Sequence, residues 1–445
     1  MKRVFLFSVL FFALLSVKTF AEESYLVWLD DSVQLFSERN ETSGAGFYTV
    51  DEETLAECLE AGIVEKYIPN ATVRLCDMGW NQLSIGADFP QRVGCRGNDV
   101  TVAVIDSGIQ EIGILEGRVL EGKNYLDEQD PTNVTDTVGH GTFVSGIIAA
   151  GADKCKILPL KCFDSDKGTL GHILDAIYDA VVTYEADVIN LSITLLESNY
   201  TPEQLTELHD ILELYVGNAS TLGSLVIAAA GNEGTSAISY PAGCSDAIGV
   251  GAVDAENKHC YFSQYNESVF VVAPGMGVVS TAIAGYTQNT GTSFAAPHVT
   301  ALAAIAKSMN PDLTTEEFKM LLQTTATDLG DEGRDDYYGY GLINCEAAVK
   351  ALMGSQTVYI SPVDQSENSI VAVFYNHSED EVTVSCIFAR RSAGTSLLAT
   401  PLVQTKTLSP GQSFDFEAEK GSGEICFMAW NSLSGLKPLG NCRIK

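Results

Sequence analysis

Five short runs, Val100–Ile105, Lys156–Leu160, Val188–Ile193, Leu225–Ala230 and Ala247–Ala252, are apolar at nearly every position and rich in Val, Ile and Ala. A strand with one wet face alternates between apolar and polar residues. A run that does not alternate belongs to a strand buried on both faces, as in a parallel sheet between two layers of helices. Stretches with helical spacing follow or separate these runs: Thr169–Tyr184, Gln204–Tyr215, Phe294–Met309 and Thr315–Thr325. The order β, α, β, α predicts an α/β domain whose parallel sheet is covered by helices on both faces.

The pattern differs at both ends. Tyr25–Leu29 reads as a strand, Glu52–Glu60 as a helix with Asp51 at its start, and Ile68–Leu75 as extended chain. Together they predict a small α+β unit, closed by the turn signal Gly94–Gly97. After about Gly354 the runs Thr357–Ile360, Ile370–Tyr375, Val382–Phe388, Ser396–Val403 and Ile425–Trp430 are short, partly alternating, and punctuated by Pro and Gly. They predict a separate all-β module of roughly 90 residues. At the start, Lys2 and Arg3 precede the apolar run Val4–Val17, and Ala21 supplies a small residue for cleavage. This layout predicts a secretory signal peptide over residues 1–21 and an exported protein, with a retained N-terminal anchor as the alternative. No later run approaches about 18 apolar residues, so no membrane-spanning segment is expected.

The 445 residues carry a formal net charge of −32. An anionic surface of this size repels phosphates and acidic lipid, which argues against nucleic acid or membrane as partner. Eleven cysteines are present, none in a Cys-x-x-Cys pair. A zinc site is therefore not expected, and export makes disulfides the expectation.

Asp106 ends the run Val-Ala-Val-Ile and precedes Ser107-Gly108. Carboxyl ends of parallel strands face the ligand crevice, so a catalytic carboxylate and an ordinary turn aspartate both fit. His140 lies between two glycines, ahead of an apolar pattern that predicts a helix. A base poised between helix N-terminus and carboxylate, or a capping histidine, would sit this way. Ser293 stands in Asn289-Thr290-Gly291-Thr292-Ser293-Phe294-Ala295-Ala296-Pro297-His298. Here a glycine turn brings a hydroxyl to a helix start, where unpaired backbone N–H groups can face a developing oxyanion. A plain N-cap is the alternative. Pro297 is expected in the first turn, where its missing N–H costs little. Asn232, in Ala230-Gly231-Asn232-Glu233-Gly234, could add a side-chain oxyanion donor or simply turn the chain.

In this order, Val102–Gly108, Gly139-His140-Gly141-Thr142, Ala230-Gly231-Asn232 and Gly291–His298 resemble the aspartate, histidine, oxyanion and serine motifs of the subtilisin-like serine proteases. The resemblance spans about residues 79–353, through Val188-Ile189-Asn190-Leu191-Ser192 and a closing segment at Tyr338–Asn344. It implies a secreted endopeptidase with the triad Asp106, His140 and Ser293, oxyanion donor Asn232, and a polypeptide substrate. It also implies that residues 22–76 are a fold-assisting propeptide that inhibits its own protease, ahead of a catalytic domain at 77–353 and a β module at 354–445. Removing that propeptide takes Cys58 with it and leaves an even ten cysteines. No cofactor is required by this reading.

Two departures from the family pattern stand out. Ser192 is followed by Ile193-Thr194-Leu195 where the family often has Gly-Gly, so the wall of the pocket for the substrate's first residue, lined by Ser192, Ile193, Thr194, Gly231 and Glu233, is narrowed or reshaped. Glu233 either favours Lys or Arg in the substrate or is a solvated acid. Ala150–Cys155 runs straight from helix to strand where many members bind calcium, so that site is expected to be missing. A disulfide through Cys155 is the expected substitute, and calcium elsewhere stays open with 58 acidic residues. The competing readings are a catalytically silent homologue that binds a peptide or partner, and a binding protein acting through its β module.

Overall fold

In the computed structural model the runs that lack alternation are strands with both faces buried. The structure describes residues 79–445 except 166–167, 196–199, 355–356, 362–363, 366–368, 392–401, 420–423, 431–442 and 445. It also describes 24–29, 48–51, 56, 59–60 and 64–69. The chain divides into two compact units, Met1–Asp77 and Met78–Lys445. In the first, β1 (Ser24–Leu29) lies between β2 (Tyr48–Asp51) and β3 (Val64–Pro69), antiparallel to both. The expected signal peptide, most of the helix at Glu52–Glu60 and the end of Ile68–Leu75 lie outside the described residues.

The second unit is built on β4 (Thr101–Asp106), β5 (Lys123–Asn124), β6 (Lys156–Lys161), β7 (Val188–Leu191), β8 (Leu225–Ala229), β9 (Ala247–Val253) and β10 (Val269–Pro274). They form one sheet in the order β10-β9-β8-β7-β4-β6-β5, with every neighbouring pair parallel. Alternate side chains of a strand point to opposite faces. Val102 and Val104 accordingly join one core with α3 (His140–Gly151) and α6 (Thr292–Met309), while Ala103 and Ile105 join another with α4 (Leu170–Val182) and α5 (Pro202–Thr221). The first core also takes in Ile85, which follows α1 (Trp80–Leu83), and residues of α2 (Asp88–Arg92), α7 (Thr315–Thr325) and α8 (Cys345–Met353). The fold is thus the α/β architecture of a parallel sheet with helices on both faces. Strand Val269–Pro274 and the hairpin β11 (Val278–Ala282) and β12 (Gly285–Asn289) complete it beyond the sequence reading.

After α8 come β13 (Val358–Ile360), β14 (Asp364–Gln365), β15 (Ser369–Asn376), β16 (Val382–Arg391), β17 (Leu402–Leu408), β18 (Ser413–Glu419), β19 (Glu424–Trp430) and β20 (Arg443–Ile444). They form two antiparallel sheets around a core that includes Phe374, Phe416 and Phe427. Two tyrosines face the other way and join the larger core: Tyr375 meets Phe89 edge to face at 5.8 Å, and the Tyr359 hydroxyl lies 3.6 Å from Cys95 Sγ.

The cysteines correct one expectation. Cys95, Cys155, Cys162, Cys244, Cys260, Cys345 and Cys386 are buried, and Cys155 is a free thiol that forms no disulfide. Six of these thiols sit among apolar side chains of the two helix-covered cores and Cys386 in the β core, where a cysteine packs as a small hydrophobe. Burial pushes the Cys155 thiol up to about 12, well away from the reactive thiolate. The side chains of Cys58, Cys76, Cys426 and Cys442 lie outside the described residues.

Candidate active site

Three elements converge at the carboxyl edge of the sheet. β4 ends on Asp106, whose side chain is almost fully buried. His140 opens α3, and the preceding Gly139 has φ 93°, a conformation that favours glycine. Gly141 lets the two approach: a Cβ there would stand 2.2 Å from the Gly108 carbonyl oxygen. Across that contact His140 Nδ1 lies 2.8 and 2.9 Å from the two Asp106 carboxylate oxygens. A carboxylate only accepts, so Nδ1 carries the proton and the neutral ring presents Nε2 as its basic nitrogen. Burial pushes the imidazolium down, but the charge and hydrogen bond of Asp106, helped by the charge of Asp136, outweigh it and raise the His140 pKa.

Ser293 is the second residue of α6, half-buried, with the Phe294 ring 5.4 Å from the His140 ring. Pro297 is the sixth residue of that helix, beyond the first turn expected from the sequence. Its missing N–H is the one that would have bonded to the Ser293 carbonyl four residues back. Ser192 fills the gap: its hydroxyl donates to the Ser293 carbonyl at 2.8 Å, and the Ser293 hydroxyl donates to the Ser192 carbonyl at 3.2 Å. Among the described residues the Ser293 hydroxyl makes this bond and none to His140. Catalytic hydrogen bonds of this kind are often long or misaligned before substrate tightens them.

Asn232 follows β8 and the left-handed Gly231 (φ 109°). Its side-chain oxygen accepts from the Thr292 N–H at 2.8 Å and from the Thr292 hydroxyl at 2.9 Å. Two donors on one oxygen fix the amide's orientation and leave its NH₂ free for another acceptor beside Ser293. The Thr292 hydroxyl also receives the Gly231 N–H at 3.2 Å. Ile193 and Leu195 lean into the core below α4 and α5, and the Leu195 N–H donates to the Tyr240 carbonyl at 2.8 Å. Thr194 is half-buried. The Glu233 carboxylate is exposed and turns back to accept the Asn232 N–H at 3.1 Å.

A family model, that of the subtilase family (Peptidase S8), matches residues 97–341. This chain belongs to the subtilase family. It is a serine endopeptidase. Subtilisin BL of Lederbergia lenta is 34% identical over 282 residues, covering 61% of this chain and 98% of that protein. Subtilisin NAT of Bacillus subtilis subsp. natto is 34% identical over 322 residues, 68% of this chain and 80% of that protein. Among solved structures, a lanthipeptide protease superposes with TM-score 0.57 at 26% identity, over 61% of this chain and 94% of its own.

In this subtilase the structure pairs Asp106 with His140, Ser293 with Ser192, and Asn232 and Gly231 with Thr292 next to Ser293, and the Phe294 ring lies against His140. Two contributors, Thr292 and Asp136, were not foreseen from the sequence, and Ser192, expected only in the pocket wall, takes a further role. Thr292 orients the amide, the Ser192 side chain replaces the bond that Pro297 cannot make, and Asp136 holds the histidine loop. Thr292 lay inside the serine motif, and Asp136 stands four residues before His140, so proximity in the chain was the available signal. The connection after α3 is short, as the sequence indicated, running from Gly151 to Lys156. Among the described residues no group of three or more His, Cys, Asp or Glu side chains is placed to hold a metal ion, and no helix is long and apolar enough to cross a membrane.

Proposed function

We propose that Asp106, His140 and Ser293 are the catalytic triad of a secreted endopeptidase that cleaves polypeptides through an acyl-enzyme. His140 Nε2 takes the Ser293 proton as the hydroxyl attacks the peptide carbonyl, and Asp106 holds the ring and balances the imidazolium. The free NH₂ of Asn232 and the Ser293 N–H hold the oxyanion. The protonated ring then gives its proton to the leaving amine, and water repeats the sequence on the acyl-enzyme. The Asp106–His140 pair carries this reading. Both oxygens of a buried carboxylate lie within 2.9 Å of Nδ1, which leaves Nε2 as the ring's basic nitrogen. The reading needs no metal, and any calcium would bind elsewhere than the short connection after α3.

Residues 22–76 are proposed to be an inhibitory propeptide that the enzyme removes from itself near Val73-Arg74-Leu75, after export on the signal peptide at 1–21. The β module at 354–445 would travel with the mature catalytic domain at 77–353. Casein hydrolysis tests the chemistry. The reading expects activity in the purified protein that falls by about six orders of magnitude in Ser293→Ala. A correctly folded, propeptide-free protein that leaves casein intact would instead support the silent, peptide-binding alternative. N-terminal sequencing tests the boundary, and a mature start within residues 22–60 would overturn it.

A further inference from the structure

Asp136 is a carboxylate with 1% of its surface exposed, and it is not a member of the triad. Its two oxygens accept five hydrogen bonds. Oδ1 takes the Ser107 hydroxyl at 2.9 Å and the N–H groups of Val138 and Gly139 at 3.0 and 2.8 Å. Oδ2 takes the Thr142 N–H at 2.9 Å and the Thr142 hydroxyl at 2.6 Å. These donors come from the two segments that carry the acid and the base: Ser107 follows Asp106, and Gly139 and Thr142 flank His140. The Ser107 hydroxyl, in turn, accepts the Gly141 N–H at 3.0 Å, which closes the link between the strand end and the helix start. On the far side, the Lys161 ammonium at the end of β6 donates to the carbonyls of Ser107 and Thr135 at 2.6 and 3.0 Å and faces both carboxylates electrostatically.

We propose that Asp136 is a positioning residue for catalysis: its carboxylate clamps the Asp106 strand end to the His140 helix and sets the register of the Asp106–His140 pair. The inference rests on the triad reading above. A buried anion fully saturated with donors is rigid, and charge-assisted hydrogen bonds are about twice as strong as neutral ones. Its negative charge also lies close enough to His140 to favour the imidazolium, after Asp106 itself. The charged groups bearing on this ring are therefore Asp106 from β4 and Asp136 from the loop before α3, while Lys161 from β6 bears on both carboxylates. Lys161 is a buried cation whose pKa is lowered by burial, against the opposing charges of Asp136, Asp164 and Asp106. α6 presents the uncharged Ser293 and Phe294, and the β11–β12 hairpin presents Ile283 against Gly139.

The test is the rate at which a fluorophosphonate inactivates the purified protein, resolved into maximal rate and half-saturating concentration across pH. Asp136→Asn keeps the shape but removes the charge and places an NH₂ against backbone donors. We expect the maximal inactivation rate to fall roughly ten- to a hundredfold with half-saturation changed less than about twofold, as for a misplaced catalytic pair. Loss of the negative charge also moves the acid limb of the profile to lower pH, because the imidazolium loses a stabilising neighbour. Should Asp136→Asn not fold, judged by circular dichroism, Ser107→Ala decides. It deletes the link between the two segments while leaving the carboxylate, and should lower the maximal rate about tenfold without moving the acid limb. A folded Asp136→Asn protein with the wild-type rate and acid limb overturns the inference, as does a wild-type rate in Ser107→Ala. Failure of the wild type itself to react would overturn the triad reading instead.

Discussion

Thr292→Val removes one hydroxyl and keeps the side-chain shape. Thr292 is completely buried, and its hydroxyl makes two bonds: it donates to the Asn232 side-chain oxygen and accepts the Gly231 N–H. Two consequences follow. The Gly231 N–H, on a buried residue, loses its acceptor, which costs about 1–3 kcal/mol of stability. Asn232 keeps its bond from the Thr292 N–H but loses the second donor, so its amide is free to swing. Deleting an oxyanion donor outright costs about 10²–10³ in turnover, a magnitude established on the corresponding subtilisin asparagine, so Asn232→Ala should lose that much. Thr292→Val, with one of two pins left, should lose about tenfold in kcat, with KM little changed because the donor acts mainly in the transition state. Casein fragments released per unit time under saturating substrate give kcat, and thermal unfolding gives the stability change. Wild-type kcat in Thr292→Val together with a 10²–10³ loss in Asn232→Ala would show that the pin is not what orients the amide. A loss of less than about fivefold in Asn232→Ala would refute the oxyanion assignment itself.

Three further outcomes are expected. Asp106→Asn should lower kcat by about 10⁴, and the residual activity should persist to lower pH than in the wild type: the base works when neutral, Asp106 raises its pKa, and removing that carboxylate lowers it, as a pH–rate profile will read. Ser192→Ala should destabilise the protein by about 1–3 kcal/mol for each group it leaves unpaired, namely the Ser293 carbonyl and the amide NH₂ of buried Asn190, measured by urea unfolding. His298 is buried and its Nδ1–H donates to the Phe294 carbonyl, so Nε2 accepts from Asn81; burial pushes its pKa down to about 4. Its folded value lies below the unfolded one, so stability is full above the unfolded pKa and falls as pH drops towards the folded one. The loss is roughly 3 kcal/mol between about pH 6.5 and 4, and unfolding curves of His298→Gln should lack that component.

The parts legible in the sequence are those whose physics is local. Val100–Ile105 and its companions showed their burial because a strand covered on both sides has no polar face to display, and the motif glycines marked where chain segments must touch. β12 was not legible: all five of its residues, Gly285-Tyr286-Thr287-Gln288-Asn289, are exposed, so no buried face marks them as a strand. The helix at Thr292 starts two residues earlier than Phe294 and carries Pro297 in its body, because a hydroxyl from 101 residues away supplies the missing partner. Nothing in the local pattern announces such a bond. Asp136 looked like any acid in a polar loop, since its five donors meet only when β4 and α3 come together. The cysteines misled for the opposite reason. Their number suggested a disulfide framework, whereas the neighbours of the seven described ones are the apolar residues of packed helices and strands.

The central claim is that one hydroxyl, that of Ser293, is made nucleophilic by His140. Peptide mapping by mass spectrometry after fluorophosphonate treatment tests it most directly. The account predicts a single phosphonyl adduct, on Ser293, that disappears in His140→Ala while the fold persists. An adduct on another residue, or undiminished labelling of Ser293 without the imidazole, would contradict it.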